Sequence, residues 1–166
     1  YWELWNLVFI QYNRNKDGKL EELNSKHVDT GAGFEIIVSF MQKKYNNYAT
    51  DLFTPLIERI EKISNKSSIK APIPFQVISD HIRMLSFAIA DGALPSNEGR
   101  GYVLRRILRR AARFGRSINI NEPFIYDLVE PFCHKMGEIF PEIIEKKSHI
   151  EKIIIAEESS FNETLD

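Results

Sequence analysis

The chemistry most visible in this sequence is positive charge concentrated in one short segment. On a helix with about 100° between residues, the segment from Tyr102 to Arg116 places six arginines on one arc of roughly 140°, while the rest of its surface is mostly apolar. Guanidinium groups stay charged and direct paired N–H groups at phosphate oxygens. The arc therefore predicts binding to a polyanion such as a nucleic-acid backbone. Its members are Arg105, Arg106, Arg109, Arg110, Arg113 and Arg116.

Two other interpretations of the arginine helix remain open. The arginines can form a solvated face paired with acidic neighbours in the fold. A helix lying on a membrane surface is disfavoured, because Phe114 is the only aromatic residue on the apolar side. Charge alone indicates a polyanion without identifying it.

A second candidate site is the segment Asp29-Thr30-Gly31-Ala32-Gly33, predicted to lead from a strand into a helix. Its two glycines allow close backbone approach, and a helix N-terminus favours anions. Asp29 could bind a cation or the ammonium group of a substrate. A Gly-x-Gly turn with one acidic residue is, however, more often an ordinary turn.

The remaining reactive residues predict little chemistry. The single cysteine, Cys133, excludes an internal disulfide and is expected to be a small packing residue. The four histidines lack metal-ligand spacing, so no metal site is predicted. Glutamates and lysines near the C-terminus are expected to form a solvated helix face.

Composition is that of a globular protein, with 43% hydrophobic and 27% charged residues and a net charge of −1. No apolar run reaches the roughly 18 residues needed to span a bilayer, and no signal peptide is visible. We expect a cytoplasmic protein with no membrane partner. Both termini look cut from a longer chain, since the sequence begins within a predicted strand and ends within a predicted helix.

The elements that position these residues predict an α+β fold. A strand over Tyr1–Tyr12, with Asn6 the only polar residue on one face, leads into a turn and a return strand over Lys19–Leu23. A short third strand over His27–Asp29 precedes a helix that starts near Phe34. The Pro-containing stretch from Ser64 to Pro74 predicts a boundary between residues 1–68 and a helical domain over residues 69–166.

Several stretches together resemble the alanyl-tRNA synthetase family of class II aminoacyl-tRNA synthetases, in order along most of residues 1–116. They are Glu3-Leu4-Trp5-Asn6-Leu7-Val8-Phe9-Ile10-Gln11-Tyr12-Asn13-Arg14, Lys26-His27-Val28-Asp29-Thr30-Gly31-Ala32-Gly33-Phe34-Glu35, Asn47-Tyr48-Ala49-Thr50-Asp51-Leu52-Phe53, Asp80-His81-Ile82-Arg83 and the run from Ile89 to Arg116 that contains Pro95-Ser96-Asn97-Glu98-Gly99. The resemblance implies that residues 1–68 are the C-terminal part of the aminoacylation core, a small antiparallel sheet with helices that includes the third signature motif. It implies that residues 69–166 are a helical tRNA-recognition domain.

What the resemblance implies about function is a two-step reaction. Alanine and ATP, with Mg²⁺, form alanyl-adenylate, and the alanyl group then passes to the acceptor end of alanine tRNA without a protein nucleophile. Asn6, Val8, Asp29 and Gly31 would bind alanine, and Gly31 and Gly33 would approach ATP. Asn97 would read the acceptor-stem wobble pair, while Arg105, Arg106, Arg109, Arg110 and Arg113 would contact the tRNA backbone. Zinc would belong only to an editing domain outside this sequence.

One position departs from the family's pattern. The third motif has Arg directly after Glu, where it grips ATP phosphate, whereas Glu35 is followed by Ile36. We expect this loss to weaken phosphate stabilisation, with apolar packing as the plain alternative role for Ile36. A non-catalytic RNA-binding module derived from such an enzyme is therefore the alternative function, and we expect the 166-residue chain alone not to form the adenylate.

Overall fold

The first compact unit, Tyr1–Thr50, is built on a β-hairpin. In the computed structural model, which describes residues 3–165, strands β1 (Trp5–Arg14) and β2 (Leu20–Ala32) pair antiparallel. The turn between them closes through hydrogen bonds from Asn15 N to Lys19 O and from Gly18 N to Asn15 O, both 3.0 Å. Gly18 adopts φ 80° there, a conformation that costs glycine little. The predicted strand start at Tyr1 and Trp2 lies outside the described residues.

The return strand differs from the prediction of two separate strands. β2 is one continuous strand that pairs with β1 on both sides of an irregularity between Ile10 and Tyr12. Such a bulge absorbs extra residues without ending the ladder, so the polar stretch between Leu23 and His27 stays extended. Asp29, predicted to end a strand, and Gly31, predicted to follow it, consequently both lie inside β2.

Two short helical elements complete the first unit. Helix α1 (Phe34–Met41) starts directly after Gly33, as predicted, and a single 3₁₀ turn follows at Asn47–Ala49. The side chain of Asn46 accepts a hydrogen bond from Tyr48 N at 2.9 Å and so caps this turn. Ser39 is buried and donates to Ile36 O at 3.0 Å.

The second compact unit begins at Asp51 and, over its described residues, is entirely helical. Its helices are α2 (Thr54–Ser64), α3 (Pro72–Ala90), α4 (Gly99–Ser117), α5 (Val129–Met136), α6 (Pro141–Glu145) and α7 (Lys147–Leu165), with a 3₁₀ turn at Ile125–Leu128 before α5. Pro131 lies in the first turn of α5, where a missing N–H costs little, so it does not divide that helix. From Pro141 on, the described residues form two helices, α6 and α7, rather than one.

The packing of the second unit explains why the boundary between the two units lies nearer the N-terminus than predicted. Helix α2 buries Leu56 and Ile60 and packs against α3 and α5, so it belongs with the helices that follow it. The division at Thr50 and Asp51 thus lies before the predicted boundary at residue 68. The two-stranded sheet and seven α-helices of the described residues confirm the α+β class. Large side chains that are fully buried include Phe53, Phe75, Phe132, Leu56, Ile60, Ile78, Ile82, Leu85, Ile89, Leu108, Ile125 and Leu128.

Candidate functional site

Helix α4 carries the arginine-rich face, and its apolar side fixes its orientation. Leu104, Leu108, Ala111 and Ala112 are buried, and α4 packs along α3. Small residues at positions 111, 112 and 115 let neighbouring groups approach closely; a Cβ on Gly115 would lie 2.3 Å from Phe124 Cε1. Burial of this stripe on one side of α4 leaves Arg106, Arg110 and Arg113 of the arginine arc exposed.

Two arginines of the arc are held by a carboxylate from α7. Glu157 Oε1 accepts hydrogen bonds from Arg105 Nε at 2.7 Å and from Arg109 Nε at 3.0 Å. The Glu157 side chain is only 11% exposed, and the two arginine side chains are 24% and 33% exposed. For Arg105 and Arg109, pairing within the fold is therefore the interpretation that the structure favours.

Three other arginines of the arc face solvent. Arg106, Arg110 and Arg113 are exposed, and each guanidinium lies over an aromatic ring. The guanidinium carbon is 5.7 Å from the Tyr102 ring centroid for Arg106, 5.8 Å from that of Phe114 for Arg110, and 5.7 Å from that of Phe161 for Arg113. Cation–π contacts at such distances orient a guanidinium without neutralising its charge.

A groove runs along this exposed part of α4. Its volume is about 490 Å³. Arginine N–H groups on an apolar floor can bind phosphate oxygens while the floor contacts sugar or base surfaces. The lining residues are Val103, Arg106, Ile107, Arg109, Arg110, Arg113 and Phe161.

The loop before α4 presents Asn97 to solvent. Ser96 Oγ donates to Glu98 O at 2.8 Å, and a Cβ on Gly101 would collide with Leu94 O at 2.3 Å, so the loop backbone is folded tightly onto the start of α4. Asn97 Oδ1 accepts a hydrogen bond from a terminal nitrogen of Arg105. The structure therefore has a hydrogen bond between Asn97, which is predicted to read the wobble pair, and Arg105, one of the arginines predicted to contact the tRNA backbone.

In the first unit, the four predicted alanine-binding residues lie on one face of the hairpin. Asn6 pairs with Gly31 and Val8 pairs with Asp29 across the antiparallel ladder. Directly opposed residues project to the same side of a sheet, and residues two apart on one strand do the same. Residues that are 25 positions apart (Asn6 and Gly31) or 21 positions apart (Val8 and Asp29) are thus brought together by strand register.

The hydrogen bonds on this face leave polar groups accessible. Asn6 Nδ2 donates to Glu3 Oε1 at 3.1 Å, and Asp29 Oδ1 accepts from Thr30 N at 2.8 Å. A Cβ on Gly31 would meet no atom within 4 Å, whereas one on Gly33 would lie 3.0 Å from Ile36 Cδ1. Space for a ligand therefore exists beside Gly31, while the Ile36 side chain covers Gly33.

Glu157 and Glu158 differ from the prediction that acidic residues near the C-terminus form a solvated face. Glu158 is only 1% exposed and accepts hydrogen bonds from Phe124 N at 3.1 Å and Ile125 N at 2.9 Å. Burial raises its pKa to about 7. The available signal was its position on the same stripe as the buried Ile150 and Ile154, at helical spacing.

Other reactive residues play packing roles. Cys133 is buried, as predicted, and burial raises its pKa to about 11. His81 is largely buried beside Asp80, whose pKa is lowered mainly by their hydrogen bond. Over residues 3–165 no three His, Cys, Asp or Glu side chains lie close enough to hold a metal ion. None of the helices described is long and apolar enough to cross a membrane.

The sequence of this chain has relatives among known proteins. A family model described as "tRNA synthetases class II (A)" matches residues 1–166, and the chain belongs to this family. Relatives named "Alanine--tRNA ligase" include proteins of Chlorobium phaeobacteroides, 54% identical over 99% of the chain, and of Staphylococcus epidermidis, 50% identical over 100% of it. The chain spans 19% of the length of each. The resemblance to alanyl-tRNA synthetases is thereby confirmed.

Proposed function

We propose that this chain is part of an alanine–tRNA ligase, contributing a portion of the alanine pocket and an acceptor-stem binding surface. The observation that carries the proposal is the shared hairpin face of Asn6, Val8, Asp29 and Gly31. The names of the relatives support the same activity. The ligase would use alanine and ATP to form alanyl-adenylate and would then transfer the alanyl group to alanine tRNA.

Each residue on the hairpin face suits a different part of alanine. The Asp29 carboxylate can accept hydrogen bonds from the ammonium group, an interaction that charge on both partners strengthens. Gly31 has open space where a side chain would stand, so a small substrate fits there. Val8 offers a methyl-sized apolar contact, and Asn6 offers an amide for the substrate's polar atoms.

For adenylate formation, the substrate carboxylate would attack the α-phosphate of ATP and pyrophosphate would leave, while the protein contributes orientation and charge stabilisation. Mg²⁺ would neutralise phosphate charge, and we assign none of its ligands to this chain. The backbone around Gly31 is accessible to a nucleotide. At Gly33 an approaching phosphate would first meet the Ile36 side chain.

The tRNA surface that we propose combines the groove on α4 with Asn97. Arg106, Arg110 and Arg113 would contact backbone phosphates, because they are exposed and have no carboxylate partner among the ion pairs of the described residues. Arg105 and Arg109 would contribute less charge, since Glu157 already pairs with both. The Asn97 amide, with donors and an acceptor, suits the shallow minor groove of an RNA helix.

The alanine pocket is tested in the full-length protein that contains this chain. We expect Asp29→Asn to raise the KM for alanine in ATP–pyrophosphate exchange by about tenfold or more, because a charge-assisted hydrogen bond is worth about 1.5–3 kcal/mol. Gly31→Ala should have a similar effect, since the new methyl group fills substrate space without meeting protein atoms. Glu22→Gln, towards the other end of β2, is the control and should leave KM unchanged. An unaltered KM for alanine in both pocket variants would rule the assignment out.

The tRNA surface is tested by salt titration of binding. We expect the double variant Arg106→Ala plus Arg113→Ala to weaken binding of alanine tRNA and of a wobble-pair variant by the same factor, because phosphate contacts carry no base information. Losing two contacts to duplex phosphates should reduce the slope of log K against log salt by about 1.8. An unchanged slope would show that these arginines do not meet phosphate.

A second candidate function is an RNA-binding module without adenylate chemistry. Its support is Ile36, which stands where the family's motif has arginine and covers Gly33. We expect Ile36→Arg to increase ATP–pyrophosphate exchange by the full-length protein if the missing charge limits activation. A full-length protein that binds alanine tRNA but performs no exchange, with or without this substitution, would favour the second function.

A further inference from the structure

A continuous set of hydrogen bonds leads from a mostly buried carboxylate on α7 to an exposed amide in the loop before α4. Glu157 Oε1 accepts from Arg105 Nε at 2.7 Å, and the same guanidinium donates through a terminal nitrogen to Asn97 Oδ1. These three residues come from three different segments of the chain. Glu157 is 11% exposed, whereas Asn97 is exposed.

The chemistry of the guanidinium determines how the Asn97 amide is turned. Arginine has five N–H donors in a rigid plane and no acceptor, so only the oxygen of the amide can face it. Because Glu157 holds the Nε edge of that plane, the terminal nitrogen of Arg105 points in a defined direction. The Nδ2 group of Asn97 is then directed away from Arg105, and Oδ1 retains a second lone pair.

Other contacts already restrain the backbone of the loop. The hydrogen bonds from Glu157 through Arg105 therefore restrict one remaining motion, the rotation of the Asn97 side-chain amide. Ser96 Oγ bonds Glu98 O at 2.8 Å, and the Gly101 Cα approaches Leu94 O too closely to carry a side chain. The terminal torsion of asparagine is broad and nearly two-fold in energy. Without Arg105 in place, Asn97 would present donor and acceptor in either order.

We propose that Glu157 is a positioning residue for base-pair discrimination, acting on Asn97 through Arg105 without touching RNA itself. This inference rests on the proposed role of Asn97 at the acceptor stem. It makes the specificity of the RNA surface depend on a side chain that is 60 residues further along the chain than Asn97.

Glu157 also lowers the positive charge available to phosphates. It pairs with Arg109 Nε at 3.0 Å as well, so its removal would take away the carboxylate that two guanidiniums share, and one of these, Arg109, lines the groove. Removing Glu157 should therefore have opposite effects on two measurable quantities. RNA affinity should stay the same or rise with a steeper salt dependence, while discrimination between base pairs should fall.

The test compares aminoacylation of alanine tRNA and of a wobble-pair variant by the full-length protein, using the ratio of the two kcat/KM values. We expect Glu157→Ala to lower this ratio about tenfold. This factor lies in the lower part of the range of discrimination that one well-placed contact to a base provides. Glu157→Gln keeps an oxygen that can accept from Arg105 and should retain most of the ratio. The control is Glu163→Gln, an exposed glutamate on the same helix, and it should leave the ratio unchanged.

Three further variants separate this inference from the proposed function. Arg105→Lys keeps the positive charge but cannot bridge Glu157 and Asn97 in one plane, so it should lower the ratio as Glu157→Ala does. Asn97→Ala should lower the ratio, and adding Glu157→Ala to it should lower it no further. If Asn97→Ala lowers the ratio but both Glu157→Ala and Arg105→Lys leave it at the wild-type value, the positioning role is wrong. If Asn97→Ala has no effect, the proposed role of Asn97 is wrong, and the inference that depends on it is withdrawn.

Discussion

The buried carboxylate of Glu158 makes the stability of the helical unit depend on pH near neutrality. Its pKa is raised from 4.5 to about 7 because burial disfavours the charged form more than the hydrogen bonds from Phe124 N and Ile125 N favour it. The folded state therefore binds a proton more tightly than the unfolded state. The resulting stabilisation is fully present below pH 4.5 and is lost as the pH rises through about 7.

The expected magnitude follows from the two pKa values. One pKa unit corresponds to about 1.4 kcal/mol. The difference between 4.5 and about 7 thus predicts that ionising Glu158 lowers the free energy of unfolding by about 3 kcal/mol between pH 4 and pH 9. Glu158→Gln has the shape of the protonated acid and keeps an oxygen to accept from Phe124 N and Ile125 N.

The assay is urea unfolding at several pH values, followed by the helical circular dichroism signal. We expect Glu158→Gln to differ from the wild type by less than about 1 kcal/mol near pH 5 and to exceed it by about 3 kcal/mol near pH 8 to 9. Glu163→Gln, at an exposed position of the same helix, should show a small difference that does not change with pH. A Glu158→Gln difference of the same size at pH 5 and pH 9 would refute the reasoning.

Two further predictions concern packing in the same unit. Gly115→Ala should lower the free energy of unfolding by about 1–3 kcal/mol, because the new methyl carbon would stand 2.3 Å from Phe124 Cε1 and 2.7 Å from Cζ; thermal or urea unfolding measures it, and unchanged stability would contradict the close contact. Cys133 should resist alkylation by iodoacetamide at pH 8 until urea is added, since a pKa of about 11 leaves roughly one thiol in a thousand ionised. Rapid labelling under native conditions would contradict its burial.

The presence of helices in the second unit depends largely on local signals. Apolar residues at helical spacing around Phe75 and Leu85 are typical of a helix such as α3, and Pro55 suits the first turn of α2. The hairpin turn was predictable from Gly18 and the polar residues before it. The continuity of β2 was not, because a bulge depends on how two strands align and leaves no mark in the sequence of either strand.

The candidate sites likewise combine features that the sequence predicts with features that only the structure shows. Motifs that resemble a family placed Asn6, Asp29 and Asn97 in functional roles that remain predictions. Strand register brings Asn6 and Asp29 to one face of the hairpin. The alternation of residues along one strand does not specify which residues of the paired strand lie on the same face. The helical wheel identified the arginine arc but could not divide it into paired and exposed members.

By itself, the sequence determined the periodicity of α4 and the polar hairpin turn, which depend on neighbours within a few residues. It also determined the α+β class and the family resemblance, through the order of patterns and motifs along the chain. Only the tertiary structure decided that Glu157 holds Arg105 and Arg109, that Glu158 is buried, and that α2 belongs to the helical unit. The physical reason is the separation in sequence over which each kind of interaction acts. Helical spacing fixes which side chains share a face of one element, whereas a contact between residues 48 or 52 positions apart depends on how two helices pack.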